Sequence, residues 1–237
     1  AGGFSSSSLA VFSPTSSKRD EEAMEISQLT TYWSGAQSYD NFGNALGSAD
    51  FNEDGFSDLI MAASSIDDVF LLYGGPSLSS GNAEDYSHQI SDSPGTEFGT
   101  AIATGDLDGD GVPELVLGAP KADDATTDAG RVYLFDADDL TATSLTASTD
   151  ATTIIDGPSS STKARAGLSL AIPGDIDGDG YNDLLIGAPY HDGAATNAGA
   201  VYIVLGQATL PSTDSLEGGV RFEGTNINDR LGESVGG

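Results

Sequence analysis

One nine-residue pattern, Asp-x-Asp/Asn-x-Asp-Gly-x-x-Asp/Glu, stands three times in this chain, at 50–58, 106–114 and 175–183. Each copy runs directly into an apolar stretch: Leu59-Ile60-Met61-Ala62-Ala63, Leu115-Val116-Leu117-Gly118-Ala119 and Leu184-Leu185-Ile186-Gly187-Ala188. Each is preceded by a glycine-bearing segment: Asn41-Phe42-Gly43-Asn44-Ala45-Leu46, Glu97-Phe98-Gly99-Thr100-Ala101-Ile102, and Ala166-Gly167-Leu168-Ser169-Leu170. A long period of this kind marks a repeat architecture. Each unit is one supersecondary element that cannot bury its own faces and must stack on a neighbour. A further copy opens at Asp229-Arg230-Leu231-Gly232-Glu233-Ser234-Val235, and its acidic loop would fall beyond Gly237, so the natural chain is expected to continue.

The units read as β-structure. After a polar gap each carries another short run: Val69–Tyr73, Arg131–Phe135 and Ala200–Leu205. These runs are β-branched and aromatic and are bounded by Gly or Asp, as strands are. Weaker fourth strands are expected at 87–90, 152–155 and 219–222. Four short antiparallel strands per unit is the layout of a propeller blade. The expected fold class is therefore all-β, a β-propeller segment over residues 31–237. Its blades are placed at 40–95, 96–160 and 161–228, with 229–237 starting a fourth. Residues 1–30 lie outside the repeat; Leu9–Phe12 is able to add a strand to a sheet, and Lys18–Leu29 to form a short helix.

The acidic loops have the chemistry of a hard-cation site. Calcium takes six to eight oxygen ligands at about 2.3–2.6 Å. Side chains at loop positions 1, 3 and 5 point inward if the backbone curls around an ion. These are Asp50, Asn52 and Asp54, then Asp106, Asp108 and Asp110, then Asp175, Asp177 and Asp179. The glycine at position 6 (Gly55, Gly111, Gly180) permits the positive φ that such a curl needs. Position 7 (Phe56, Val112, Tyr181) offers a backbone carbonyl, and the acid at position 9 (Asp58, Glu114, Asp183) closes the cage. Three calcium ions are expected, one per loop. Without them the carboxylates of one loop repel each other, and the loops are expected to loosen. An EF-hand begins in the same way but needs a bidentate Glu at position 12 and a helix on each side. Position 12 is Met61, Leu117 and Ile186, each inside a β-type run, so the EF-hand is rejected.

Charge narrows the partners. There are 37 acids against 8 bases, a formal charge of −29, which repels nucleic acid and anionic membranes. No apolar run approaches the length of a membrane span. There is no cysteine, so an extracellular chain of this kind needs another staple, and bound metal supplies one. Catalytic signatures are missing. Gly232-Glu233-Ser234-Val235-Gly236 has the G-x-S-x-G spacing but belongs to the opening of the further repeat copy and not to a strand-turn-helix elbow. There is no phosphate-loop lysine, and His88 and His191 lack a partner pattern for zinc or a dyad. Trp33, with Tyr32 and Tyr39 near it, is expected in core or inter-blade packing, with sugar stacking as the sharper alternative.

The order Phe-Gly, acidic loop, Gly-Ala-Pro resembles the FG-GAP repeat of integrin α-subunits and of many bacterial and archaeal surface proteins. The second copy matches in full, through Phe98-Gly99, Asp106 to Glu114 and Gly118-Ala119-Pro120. The first copy has Ala62-Ala63-Ser64 for Gly-Ala-Pro, and the third has Ala166-Gly167 for Phe-Gly. The resemblance covers residues 40–237. It implies part of a seven-bladed calcium-binding propeller from a prokaryotic surface protein, with ions in the hairpin between first and second strands. It also implies ligand binding on the opposite face, at Ser65–Asp68, Lys121–Gly130 and Tyr190–Gly199, with Tyr190, His191 and Asp192 as candidate contacts.

These readings converge on a non-enzymatic binding or adhesion module, extracellular or on the cell surface, whose ligand is a protein or a glycan. Two alternatives stay open: an accessory propeller of a secreted enzyme, and a structural subunit of a surface layer or filament. Closing the ring calls for further sequence, another domain or further copies of the chain.

Overall fold

A computed structural model describes residues 8–10, 32–35, 37–76, 81–82, 86–123, 126–217 and 219–237. The helix expected at 18–29 lies outside them. The chain enters through β1 (Ser8–Ala10) and β2 (Tyr32–Ser34), which pair antiparallel. Three similar units follow. The first holds β3 (Leu46–Ala49), β4 (Asp58–Ala63), β5 (Asp68–Leu72), β6 (Gly81–Asn82) and β7 (His88–Ser91). The second holds β8 (Ile102–Gly105), β9 (Glu114–Ala119), β10 (Arg131–Phe135), β11 (Ser144–Thr146) and β12 (Thr153–Asp156). The third holds β13 (Ser169–Gly174), β14 (Asp183–Ala188), β15 (Ala200–Val204), β16 (Thr213–Ser215) and β17 (Val220–Glu223).

In each unit four strands pair antiparallel in the order first, second, third, last, giving β3-β4-β5-β7, β8-β9-β10-β12 and β13-β14-β15-β17. This is the blade layout the sequence implies. The innermost strands β3, β8 and β13 lie side by side in succession. The central strands alternate between two cores. On β9, Leu115 and Leu117 face the first blade while Val116 faces the third; on β10, Tyr133 and Phe135 face the first while Val132 and Leu134 face the third. Both faces of the sheet are therefore buried, which is why these strands are almost continuously apolar. On the far side of the first blade, Met61, Ala63 and Phe70 pack with Phe42 and Trp33. Trp33 is 3% exposed, a packing residue and not a sugar platform.

One strand in each unit was not legible in the sequence. The connection between third and last strands reaches back to the preceding sheet and adds a short parallel strand to its outer edge. β6 pairs with β2, β11 with β7 and β16 with β12. Residues around β11 and β16 are Ser, Thr and Asp, so they read as loop, yet Leu145 and Leu216 in these segments are buried. Side chains of the recipient strand fasten the addition: the imidazole of His88 meets the Ala142 carbonyl at 2.7 Å, and the Thr153 hydroxyl donates to the Pro211 carbonyl at 2.7 Å. The edge strand so covered would otherwise present unpaired backbone groups. Among the described residues, no helix is long and apolar enough to cross a membrane.

Candidate metal centre

The three acidic loops join the first strand of each blade to the second, so they share one end of the sheets. Their conformation is set by backbone signs. Position 6 is left-handed in every copy, at Gly55 (φ 86°), Gly111 (94°) and Gly180 (102°), and so is position 4, at Glu53, Gly109 and Gly178. Two left-handed residues so close together aim successive N–H groups at the position 1 carboxylate. Asp50 accepts from Asp54 and Gly55, Asp106 from Gly109 and Gly111, and Asp175 from Gly178, Asp179 and Gly180, at 2.6–3.2 Å.

Position 9 works from the other side. Asp58, Glu114 and Asp183 are at most 1% exposed, although they are acids. Asp58 accepts from the N–H of Phe51 and Gly74, Asp183 from Ile176 and Gly206, and Glu114 from Leu107. Burial is the main force on Asp58 and Glu114. It raises Asp58 above the usual carboxylate range, and it pushes Glu114 up to about 7 with Asp108 and Asp106 adding repulsion. A cation bound beside Glu114 would favour its ionised form against this burial and repulsion.

Side-chain oxygens converge in two loops. One oxygen each from Asp106, Asp108 and Glu114 lie within 4.8 Å of one another, as do those of Asp175, Asp177 and Asp183. Positions 1, 3 and 9 thus form a triad of hard oxygen donors, a set that fits calcium and contains no soft ligand. The position 5 acids are not among these three converging groups, and one oxygen of each accepts N–H from position 7. Asp54 accepts from Phe56, Asp110 from Val112 and Asp179 from Tyr181. The first loop has the same fold but carries Asn52 at position 3, whose amide donates to Asp54 at 3.2 Å. A cation there would meet one fewer charge.

The second and third loops also touch. Asn182, at position 8 of the third, donates to the Asp106 carbonyl at 2.7 Å. The Tyr181 ring lies against Gly109, where a Cβ would come within 2.8 Å of it. Asn182 is not legible from the repeat pattern, because position 8 carries no motif letter. Between the first and second loops there is instead an acidic cleft of 260 Å³ that includes Glu53, Asp110, Asp136 and Asp138.

The profile of the FG-GAP repeat matches residues 42–65, 98–135 and 166–204, one stretch per blade. The chain is 42% identical over 124 residues to integrin alpha-PS2 of Drosophila melanogaster, which covers 49% of the chain and 8% of that protein. It is 32% identical over 181 residues to integrin alpha-5 of Xenopus laevis, covering 73% of the chain and 16% of that protein. The chain is an FG-GAP repeat, integrin alpha-like protein. It is also 29% identical over 193 residues to the phosphatidylinositol-glycan-specific phospholipase D of Bos taurus, covering 75% of the chain and 22% of that protein. The chain thus corresponds to a minor part of each relative's length.

The geometry gives the FG-GAP signature a physical meaning. The Phe-Gly glycine donates its N–H to the carbonyl of the Gly-Ala-Pro glycine position in the same blade: Gly43 to Ala62, Gly99 to Gly118 and Gly167 to Gly187, at 2.7–3.1 Å. Across blades the same glycines press together. A Cβ on Gly118 would sit 2.0 Å from the Gly167 carbonyl oxygen, and one on Gly187 would sit 2.1 Å from that of Gly232. In the first blade Ala62 occupies this position, and the facing Gly99 leaves room only without a Cβ of its own, which would lie 2.9 Å from that of Ala62.

At the other end of the sheets lie the loops the resemblance assigns to ligand. Tyr190 is half-buried and Asp192 exposed, while His191 is 2% exposed. Its ring faces the Tyr202 hydroxyl at 3.4 Å and Glu223 at 3.6 Å, and burial holds its pKa below the usual histidine value against the pull of Glu223. His191 therefore serves packing between loop and strand and offers little surface to a ligand.

Proposed function

We propose that this chain is a calcium-stabilised, non-enzymatic binding module that works outside the cell or at its surface. The observation that carries the reading is the pair of buried-acid triads recurring at the same turn of successive blades. Such ions clamp hairpins and neutralise clustered acids, so their role is structural. Three ions are expected, held at positions 1, 3, 5, 7 and 9 of the loops, the first more weakly than the others. Binding then falls to the opposite face, where Tyr190 and Asp192 are accessible. The likeness to integrin alpha subunits supports a protein ligand and association with other chains.

The test is an immobilised chain probed with a panel of extracellular-matrix proteins and glycans, with calcium and with chelator. Calcium-dependent capture of at least one ligand is expected. If the calcium-loaded chain retains none, the binding-module reading fails. The phospholipase D relative, matched over 75% of the chain, favours a second reading, an accessory propeller beside a catalytic domain. Lipase activity in the longer protein that is lost when this segment is deleted would favour it.

A further inference from the structure

The residue before Phe-Gly and the residue after Gly-Ala-Pro meet in every blade, always by a different chemistry. In the first blade the Asn41 amide donates to the Ser65 hydroxyl at 2.7 Å. In the second, Lys121 pairs with Glu97 at 2.6 Å. In the third, the Arg165 guanidinium lies 4.8 Å from the Tyr190 ring centroid, and Arg230 of the next copy lies 5.0 Å from the same ring. The residues before Phe-Gly are all left-handed, at φ 57° for Asn41, 56° for Glu97, 55° for Arg165 and 52° for Arg230. The shared backbone conformation means that each blade presents the side chain at this position in the same way.

This end of the sheets is unlike the rest of the molecule. On a chain of net charge −29 it carries Lys121, Arg165 and Arg230 against the single acid Glu97 at these positions. None of the eight lysines and arginines falls within the acidic loops at the other end. Three neighbouring acids are turned into their own loops, while the half-buried Asp128 accepts the backbone N–H of Arg165 through its backbone carbonyl. Asp123 accepts the N–H of Asp128, Asp192 that of Asn197, and Asp229 those of Thr225 and Asn226. Glu233 is nearer, 3.8 Å from Arg230. Among the described residues Arg165 forms no ion pair and its guanidinium donates no hydrogen bond. A guanidinium stacked on an aromatic face keeps its in-plane N–H fork free, and that fork matches a carboxylate.

We propose that Arg165, Tyr190 and Arg230 form an anion-recognition site, and that its ligand is a protein segment displaying an aspartate or glutamate side chain. A polypeptide is favoured over a single sugar because the polar pairs Asn41–Ser65 and Glu97–Lys121 extend the row blade by blade, as an extended segment requires. The inference rests on the binding-module reading above and specifies its ligand.

The test follows the amide and Arg Nε–H signals of the calcium-loaded chain by NMR. The probes are the peptide Ac-Gly-Ser-Glu-Glu-Gly-Ser-NH2, its Gln-Gln counterpart and sialyllactose. The acidic peptide is expected to shift the Arg165 and Tyr190 signals, with affinity at least tenfold above the Gln-Gln form. Arg165→Gln and Arg230→Gln should each weaken binding at least tenfold at unchanged melting temperature, and Arg165→Lys by less. Shifts with sialyllactose alone would overturn the protein-ligand assignment, and no shift with any probe would overturn the site. Panel ligands still captured by the Arg165→Gln, Arg230→Gln double variant would refute this inference while leaving the binding-module reading intact.

Discussion

Replacing Gly118 with alanine tests whether blades stack through the motif glycines. The new methyl carbon would stand 2.0 Å from the Gly167 carbonyl oxygen and 3.0 Å from its carbon. An ordinary contact is well over 3 Å, so the third blade would have to retreat by more than an ångström or the strand would have to bend. Neither is easy, because Val116 and Val132 on one side and Leu184 and Ile186 on the other are fully packed. Overpacking a close-packed core costs about 1–3 kcal/mol. For a domain of this size each kcal/mol lowers the melting temperature by about 2–4 °C, so a fall of about 2–12 °C is expected. Gly75→Ala is the control, since a Cβ there meets nothing within 4 Å. Thermal unfolding followed by circular dichroism in saturating calcium reads both variants. If Gly118→Ala melts with the wild type and with the control, the inter-blade glycine contact is not what holds the stack.

Three further outcomes follow from the same contacts. Asn182→Ala removes the bond to the Asp106 carbonyl, so the second loop should bind calcium several-fold more weakly, about the effect of one hydrogen bond, by terbium luminescence competition. An unchanged second site would disprove the coupling of the loops. Glu114 titrates near 7 in the folded chain against 4.5 unfolded, so the folded state holds a proton that the unfolded state has released. In chelator, its contribution to stability is therefore lost as pH rises from about 4.5 to about 7. Urea midpoints of Glu114→Gln should gain on the wild type between pH 5 and pH 8, and parallel profiles would contradict this. Tyr133→Phe loses the hydroxyl bond to Asp92 while keeping the ring against Phe98, and should cost about 1 kcal/mol in urea denaturation. A loss of several kcal/mol would mean that the ring contact had been disturbed as well.

The blades were legible because their central strands are apolar on both faces, and because glycine punctuates them wherever two backbones meet. The loops were legible because positions 1, 6 and 9 each have one physical task, and only Asp, Gly and a buried acid perform them. Position 5 was less so. Its acids satisfy the same inward pattern, yet Asp110 and Asp179 cap the N–H of position 7, a choice the spacing alone does not make. The parallel strands β11 and β16 were hidden for a similar reason. Backbone pairing to the previous blade holds them, and only Leu145 and Leu216 betray them in otherwise polar segments. His191 shows the limit of reading a side chain from its neighbours in sequence. Between surface-accessible Tyr190 and Asp192 it turns inward to Tyr202 and Glu223, because the loop must anchor itself to β15 and β17.

The central claim is that the acidic loops are structural calcium sites, and calcium titration of the chelated chain by calorimetry addresses it directly. The triads Asp106/Asp108/Glu114 and Asp175/Asp177/Asp183 should give two tight sites, with the Asn52-bearing first loop as a third and weaker one. Asp108→Asn and Asp177→Asn should each weaken one tight site, and chelator should lower the melting temperature sharply. No heat on titration, together with a melting temperature indifferent to chelator, would contradict the account.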